Sequence, residues 1–345
     1  MNKKRMKTAV VILNWNGVEL MRRFLPSVVA CTGGGAEVVV ADNGSTDGSV
    51  RWLEEAFPSV RRLLLPENFG FAEGYNRALA QVEADYYVLL NSDVEVTPGW
   101  LEPLVQYMDA HPGVAACQPK LMSFGRRDEF EYAGAAGGFI DRYGYPFCRG
   151  RLFATIETDR GQYDADVPLF WATGAALMVR RADWQSVGGF DGRFFAHMEE
   201  IDLCWRLRAR GRGIACVAAS RVYHLGGGTL AHGNARKTFL NFRNNLLMLY
   251  KNLPEAELRP VMRVRALLDY VAAAKFLLGG SWDEMRAVFR ARRAFRRMRP
   301  DVEPDRRANL AAAVGGPIEG RMDGSLLVAY YLRGKKTFAQ LFARS

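Results

Sequence analysis

Hydrophobic and polar positions alternate along the first 120 residues between two periods. Short β-branched or apolar runs at residues 8–13, 37–40, 60–65 and 86–90 have the character of buried strands. Between them, residues 18–29, 49–57 and 72–82 place apolar side chains on one side of a helix. This β-α-β-α order predicts an α/β fold: a largely parallel, Rossmann-like sheet covered by helices on both faces. Ligands bind such sheets at the carboxyl ends of the strands. The polar residues that follow the strands, at 14–17, 42–48, 67–70 and 91–93, are therefore the first candidates for chemistry.

Beyond residue 125 the pattern loosens into Gly- and Tyr-rich turns up to residue 161, predicting a hairpin excursion. Order returns at 169–179, then with a helix from Glu199 to Gly211, a strand at 214–222 and a helix at 234–253. Residues 256–280 and 282–299 read as two amphipathic helices, the second rich in arginine. The pattern divides the chain into a region of residues 1–250 and a basic helical region of residues 251–345.

Composition narrows the class. With 49% hydrophobic and 24% charged residues the chain can bury a core, which excludes global disorder. The formal net charge is +10, and residues 251–345 hold 19 of the basic and 10 of the acidic side chains, so nearly all of it belongs to that segment. Five cysteines, none in a CxxC pair, suggest neither a disulfide framework nor a zinc site and point to a reducing compartment. The apolar stretch at 266–280 carries Asp269 and Lys275 and is too short to span a bilayer.

Asp42 ends a strand and opens DNGSTDGS, where small residues permit a tight turn and Ser45 or Asp47 can cap the next helix. The same Asp42 could instead accept hydrogen bonds from a nucleotide base. Gly70 and Gly74 allow the backbone to approach a ligand. Asp93 follows the apolar run YYVLL, where a carboxylate can bind Mg²⁺ or Mn²⁺ with phosphate oxygens completing the shell, or can simply cap a turn.

Taken together, VVILNWNG, DNGSTDGS, ENFGFAEGYNRAL and LLNSDVEV, in this order and spacing, resemble family 2 glycosyltransferases, closest to the bacterial branch that includes rhamnosyltransferases. The likeness runs over residues 8–250. It implies a GT-A fold with a helical C-terminal extension, a nucleotide-diphosphate sugar donor carrying dTDP, UDP or GDP, a divalent metal (Mg or Mn), and an inverting transfer. By position, Asp42 would contact the base. Asn91, Ser92 and Asp93 would occupy the place of the family's DxD metal motif, with Asn where the first Asp often stands. The implied donor-binding set is Asn14, Asp42, Asn68, Gly70, Asn76, Asn91, Ser92 and Gly174.

The segment GGFDGRFFAHMEEIDLCWRLRARG opens a helix with Glu199, Glu200 and Asp202. Acidic residues suit a helix's first turn for purely structural reasons. The resemblance places Glu200 at the second position of the family's Glu-Asp motif, the catalytic base, with Glu in place of Asp. Glu199 and Asp202 stay open as alternatives. His224, before three glycines, resembles a family segment that approaches the metal or diphosphate and is taken with Asp93 as a metal ligand. Arg243 and Asn244 resemble a following Arg-Asn pair, or form a helix's polar face.

In AVFRARRAFRRMR, Val288, Phe289, Phe295 and Met298 interleave with arginines, as in a basic helix lying on an anionic membrane. No nucleic-acid recognition motif accompanies them. The expected protein is thus a cytoplasmic enzyme, peripheral on the inner face of the cytoplasmic membrane. It would transfer a sugar, rhamnose first among candidates, to a lipid-linked or cell-surface glycan. Two other readings are a sugar-nucleotide-binding scaffold and a nucleotidyltransferase. The scaffold would bind donor without transferring it. The nucleotidyltransferase would need a basic triphosphate loop, and the turn at 14–17 lacks a lysine.

Overall fold

The computed structural model describes residues 6–226 and 234–343, so Gly227 and Gly228, two of the three glycines read above with His224, lie outside the described residues. Four strands, β1 (Met6–Asn14), β2 (Ala36–Asn43), β3 (Arg61–Leu65) and β4 (Ala84–Leu90), pair in parallel in the order β3-β2-β1-β4. Alternate side chains of these strands serve opposite faces. Val10, Ile12, Val40 and Val88 pack with Met21, Leu25 and Leu53 of α1 (Val18–Cys31) and α2 (Ser49–Ala56). Ala9, Val11, Val39 and Leu89 pack with Ala72, Tyr75 and Leu79 of α3 (Gly70–Leu79). Burial on both faces explains why β1, β2 and β4 read as continuous apolar runs, while the edge strand β3 leaves Leu64 exposed.

After β4 the chain forms β5 (Val94–Val96), α4 (Leu101–Ala110) and β6 (Val114–Ser123). A small five-stranded sheet holds β7 (Gly138–Asp141), β8 (Pro146–Cys148), β9 (Arg151–Leu152) and β10 (Thr155–Ile156), within the excursion expected at 125–161. The chain then returns through β11 (Val167–Pro168), β12 (Ala176–Arg180), α5 (Arg181–Ser186), α6 (Glu199–Ala209) and β13 (Gly213–His224). The large sheet has the order β11-β13-β6-β12-β4-β1-β2-β3, with β5 paired to β13. Antiparallel β12 joins β4 to β6, so β6 and β13 run in the direction of β1.

Strand β6 is central and carries no clear strand signature, because Gln118, Pro119 and Lys120 interrupt its apolar run. Proline offers no N–H to a neighbour. Strand β13 accommodates it with an irregularity, its register shifting between Val217, opposite Pro119, and Arg221, opposite Lys120. Lys120 is fully buried, with its ammonium 2.6 Å from both Asp159 and Asp164.

The C-terminal region packs back on the first part. Helices α7 (Ala235–Asn252), α8 (Glu255–Leu278) and α9 (Trp282–Ala311) lie together. The last continues through Pro300 and Pro304, well past the expected end at residue 299. Arg306 anchors the extension, donating to Leu253 O at 2.7 Å and to Glu255 Oε2 at 2.8 Å. The apolar side chains of α9 correct the sequence expectation in part. Val288 and Phe295 are buried where α9 meets α7, whereas Phe289 stays exposed. Strand β14 (Arg321–Met322) then adds in parallel to β7, and Phe338 of α10 (Phe338–Phe342) packs on Phe139 at 4.8 Å. Among the described residues no helix is long and apolar enough to cross a membrane.

Candidate active site

The carboxyl ends of β1, β2, β4 and β13 open at one side of the sheet and carry Asn14, Asp42, Asn91 and His224. Asn14 donates to Asp42 Oδ2 at 3.0 Å and to Ser45 Oγ at 3.1 Å, and Asp42 Oδ1 accepts from Ser45 N at 2.9 Å. The DNGSTDGS turn is thereby pinned beside the first strand end. Asp47 accepts from Val18 N and Ser49 N, satisfying first-turn donors of both α1 and α2. Asn14 Oδ1 is buried with no protein partner.

Asn68 belongs to the next turn. Its Oδ1 accepts from Gly70 N at 2.8 Å and from Asn43 Nδ2 at 3.1 Å, fixing the entry to α3. Gly70 has a φ of +78°, and a Cβ there would stand 2.5 Å from the Phe195 ring. Asn76 has a different place from the one expected of a donor-binding residue. Its amide donates to Phe190 O at 2.9 Å and accepts from Phe190 N at 3.0 Å, so it ties α3 to the loop before α6.

Asn91, Ser92 and Asp93 form the turn between β4 and β5. Asn91 N donates to Ala175 O at 3.0 Å, which places this turn against the Thr173–Gly174–Ala175 corner leading into β12. A Cβ on Gly17 would lie 3.7 Å from Ser92 Oγ, so the first strand's turn borders the same space. Gln118 of β6 holds the corner from below, accepting from Thr173 N at 2.9 Å. Gly174 forms its surface. A Cβ there would lie 3.5 Å from the Phe71 ring and 3.7 Å from Glu200 Cβ. One glycine thus separates the Asp93 turn from the acidic start of α6.

That start is held in an unusual backbone. Phe195, His197 and Met198 have φ values of 66°, 73° and 73°, each costing about 1–3 kcal/mol for a residue with a side chain. Several contacts hold the loop in this form. Phe71 N donates to Phe195 O at 2.7 Å, and Asn244 Nδ2 reaches the carbonyls of Phe194, Ala196 and His197 at 2.9, 2.9 and 2.7 Å. Arg243 adds bonds to Arg193 O at 3.0 Å and Phe194 O at 2.9 Å. The Arg243–Asn244 pair is therefore a clamp on the loop that presents Glu199 and Glu200.

The three acidic residues of α6 separate cleanly. Asp202 is fully buried and bonded to Arg206 at 2.9 Å, Lys251 at 2.9 Å and Asn252 at 2.8 Å. Burial opposes its charge, but Lys251 and Arg206 hold its carboxyl below the usual range. It belongs to the interior and drops out as an alternative base. Glu199 and Glu200 each keep one buried carboxylate oxygen, Oε2, without a protein partner. Burial pushes Glu200 up to about 7. Burial and the neighbouring Glu200 charge raise Glu199 as well.

At the end of β13, His224 Nε2 lies 3.1 Å from Asp93 Oδ1, and Leu225 N donates to Asp93 O at 3.0 Å. On the other side of the ring, His224 Nδ1 lies 3.3 Å from Glu131 Oε1. Burial would lower the imidazolium's pKa, but Glu131 and Asp93 raise it to about 10. Burial likewise opposes the Asp93 charge, and His224 holds it low. Asp93 and His224 would fit a hard divalent cation once the ion displaces the Nε2 proton: a carboxylate oxygen and an imidazole nitrogen then face each other at the end of β13. No three His, Cys, Asp or Glu side chains are arranged to hold an ion among the described residues, so phosphate oxygens would have to complete the shell. Glu131 had no signal in the sequence; it sits in the turn-rich segment and meets His224 only through the fold.

Parallel strand ends that meet a glycine corner and a pair of buried acidic residues are the arrangement of the GT-A class of sugar transferases. The model of the family described as glycosyl transferase family 2 matches residues 9–185, and the chain belongs to that family. Over 233 residues it is 30% identical to the N-acetylglucosaminyl-diphospho-decaprenol L-rhamnosyltransferase of Mycobacterium tuberculosis, spanning 62% of this chain and 75% of that protein. Two solved structures share the fold at 16% identity. The mannosyltransferase PcManGT from Pyrobaculum calidifontis, in complex with GDP-Man and Mn²⁺, has a TM-score of 0.51, covering 90% of this chain and 86% of that one. GalNAc-T7 with UDP, GalNAc and Mn²⁺ has a TM-score of 0.56, covering 72% of this chain and 48% of that one.

Proposed function

We propose that this glycosyltransferase moves a sugar, rhamnose first among candidates, from a dTDP, UDP or GDP donor to a hydroxyl of a lipid-linked or cell-surface glycan, with inversion. The observation that carries this reading is the free Oε2 of the Glu200 carboxylate, one glycine from the Asp93 turn. A sugar hydroxyl is a weak nucleophile. Glu200 accepts its proton as the oxygen attacks the anomeric carbon, and Glu199 lies beside it as a second buried carboxylate. A single displacement from the face opposite the leaving diphosphate inverts that carbon and needs one base. Asp42 and Asn14 border the donor's base and Gly174 gives the sugar room. Asp93 and His224 would hold Mg²⁺ or Mn²⁺, whose charge stabilises the leaving diphosphate when bound. The rhamnosyl and lipid-linked choices follow the mycobacterial relative, which also suggests a place in cell-wall or polysaccharide assembly.

The same reading supplies an anionic membrane partner at the inner face of the cytoplasmic membrane. Val288 and Phe295 of α9 are buried, so the contact is drawn mainly on α8, with the exposed Phe289 beside it. Leu267, Val271 and Leu278 lie exposed along one side of α8, and Tyr270 meets Phe289 of α9 at 5.7 Å. Trp282 is exposed at the start of α9, and Arg286, Arg290, Arg293 and Arg297 are exposed along that helix. An exposed apolar strip on α8 together with exposed arginines on α9 suits the acyl boundary and headgroups of an anionic bilayer.

Thermal-shift binding with dTDP, UDP and GDP, each with and without Mn²⁺, tests the donor reading, followed by transfer to lipid-linked N-acetylglucosamine. Metal-dependent stabilisation by one nucleotide is expected. No stabilisation by any of the three in folded protein would overturn the reading.

A further inference from the structure

We propose that Glu131 is a positioning residue for the donor-site metal: it holds the His224 ring through Nδ1 so that Nε2 faces Asp93. The proposal rests on the reading of Asp93 and His224 as the metal side of the donor site. The two ring nitrogens face two different carboxylates: Nε2 is within hydrogen-bond reach of Asp93 at 3.1 Å, and Nδ1 makes an ion-pair contact with Glu131 at 3.3 Å without hydrogen-bond geometry. They lie on opposite sides of the imidazole, so Glu131 cannot share an ion held between Nε2 and Asp93. It acts through the ring.

Glu131 is itself built in. It is buried, its Oε2 accepts from Ala133 N, and its backbone N donates to Leu121 O of β6 at 3.0 Å. Leu121 N returns a bond to Ala135 O at 2.9 Å, so the segment around Glu131 is laced to the strand beside β13. On the other side Gly226 has a φ of +68°, and a Cβ there would stand 3.1 Å from Glu131 Oε1. Glycine at this position leaves the carboxylate its room beside the ring. A metal-binding histidine whose other N–H is held by a carboxylate has a fixed tautomer and orientation, and loss of that partner typically costs ten- to hundredfold in metal affinity.

Mn²⁺ binding to the full chain, followed by electron paramagnetic resonance with and without UDP, tests the idea in the wild type and in Glu131→Ala, Glu131→Asp and Glu131→Gln. Glu131→Ala and Glu131→Asp should bind Mn²⁺ about ten- to hundredfold more weakly; the aspartate keeps the charge but falls short of Nδ1. Glu131→Gln keeps an acceptor oxygen at the same reach and should restore most of the affinity. Circular dichroism melts without Mn²⁺ identify any variant that fails to fold, and the near-isosteric glutamine decides the case if alanine does. Wild-type affinity in folded Glu131→Ala, or a glutamine variant no better than alanine, would overturn the positioning role. If Asp93→Ala binds Mn²⁺ as well as the wild type does, the metal reading itself falls and takes the proposal with it.

Discussion

Asn244 donates its side-chain amide to the carbonyl of His197 at 2.7 Å, two residues before the acidic pair that opens α6. The same amide nitrogen reaches the carbonyls of Phe194 and Ala196, so one buried side chain from α7 holds a loop with three left-handed residues. Asn244→Ala should therefore lower kcat by about a hundredfold through misplacement of Glu200. The KM for donor should change little. Steady-state kinetics at varied donor concentration, with a melting curve to confirm folding, checks the split. Equal losses in kcat and donor affinity would assign the clamp a wider role.

The position of Glu200 also sets a pH dependence. As a base it must be ionised, and burial lifts its carboxyl to about 7. Turnover should rise with pH through that region and level off above it. Glu200→Gln should lower kcat by about 10²–10⁴-fold, abolish the rise and leave donor binding in place. Stability should move the other way. A carboxyl whose folded pKa exceeds its unfolded value contributes stability below the unfolded value, and that contribution is lost as pH rises through the folded one. At pH 8 the glutamine variant should melt above the wild type, which a fluorescence melting series at pH 5 and pH 8 measures directly.

Two glycines at the mouth should respond oppositely to a methyl group. Gly44 has a φ of +74°, and a Cβ there would lie 2.6 Å from Glu67 Cα, an atom of the backbone. Gly44→Ala should destabilise the fold by about 2 kcal/mol or more, from the left-handed backbone and the clash together. At Gly174 the nearest atoms to such a Cβ are 3.5 Å away, ordinary contact. Gly174→Ala should fold and melt like the wild type but raise substrate KM. Paired melting and kinetic measurements separate these outcomes.

Leu267→Asp and Leu278→Asp place charge on the exposed strip of α8 without touching the site. Each should reduce sedimentation with phosphatidylglycerol vesicles while leaving turnover on a soluble acceptor unchanged. Wild-type binding should fall as salt is raised. Equal recovery on phosphatidylcholine and phosphatidylglycerol vesicles, or none on either, would remove the membrane from the account.

The parallel half of the fold was legible because β1, β2 and β4 are buried on both faces and all four strands are followed by polar turns. The strand ends that bring Asn14, Asp42 and Asn91 to one side follow from that pattern alone. Strand β6 was hidden because Gln118 and Lys120 are buried polar residues whose partners, Thr173 and two aspartates, lie far along the chain. The same distance conceals Glu131. Asn76 shows the opposite case: a motif marks where a residue stands in the sequence, but not which way its amide points. The extension of α9 past Pro300 depends on Arg306 finding carbonyls at the end of α7, which no helical period encodes.

Strand β14 has a consequence for synthesis. The small sheet that includes β7 closes only when Leu326 N reaches Asp141 Oδ2, a bond between residues 185 positions apart, and when Leu326 and Tyr330 cover Phe147 and Leu152. At ribosomal rates of about 5–20 residues per second, that hairpin waits roughly 10–40 s for its cover. During that interval its aromatic face is open to other chains. The region beside the active site is thus the last part of the molecule to become safe from aggregation, and the one for which a chaperone that shields apolar surface would matter most.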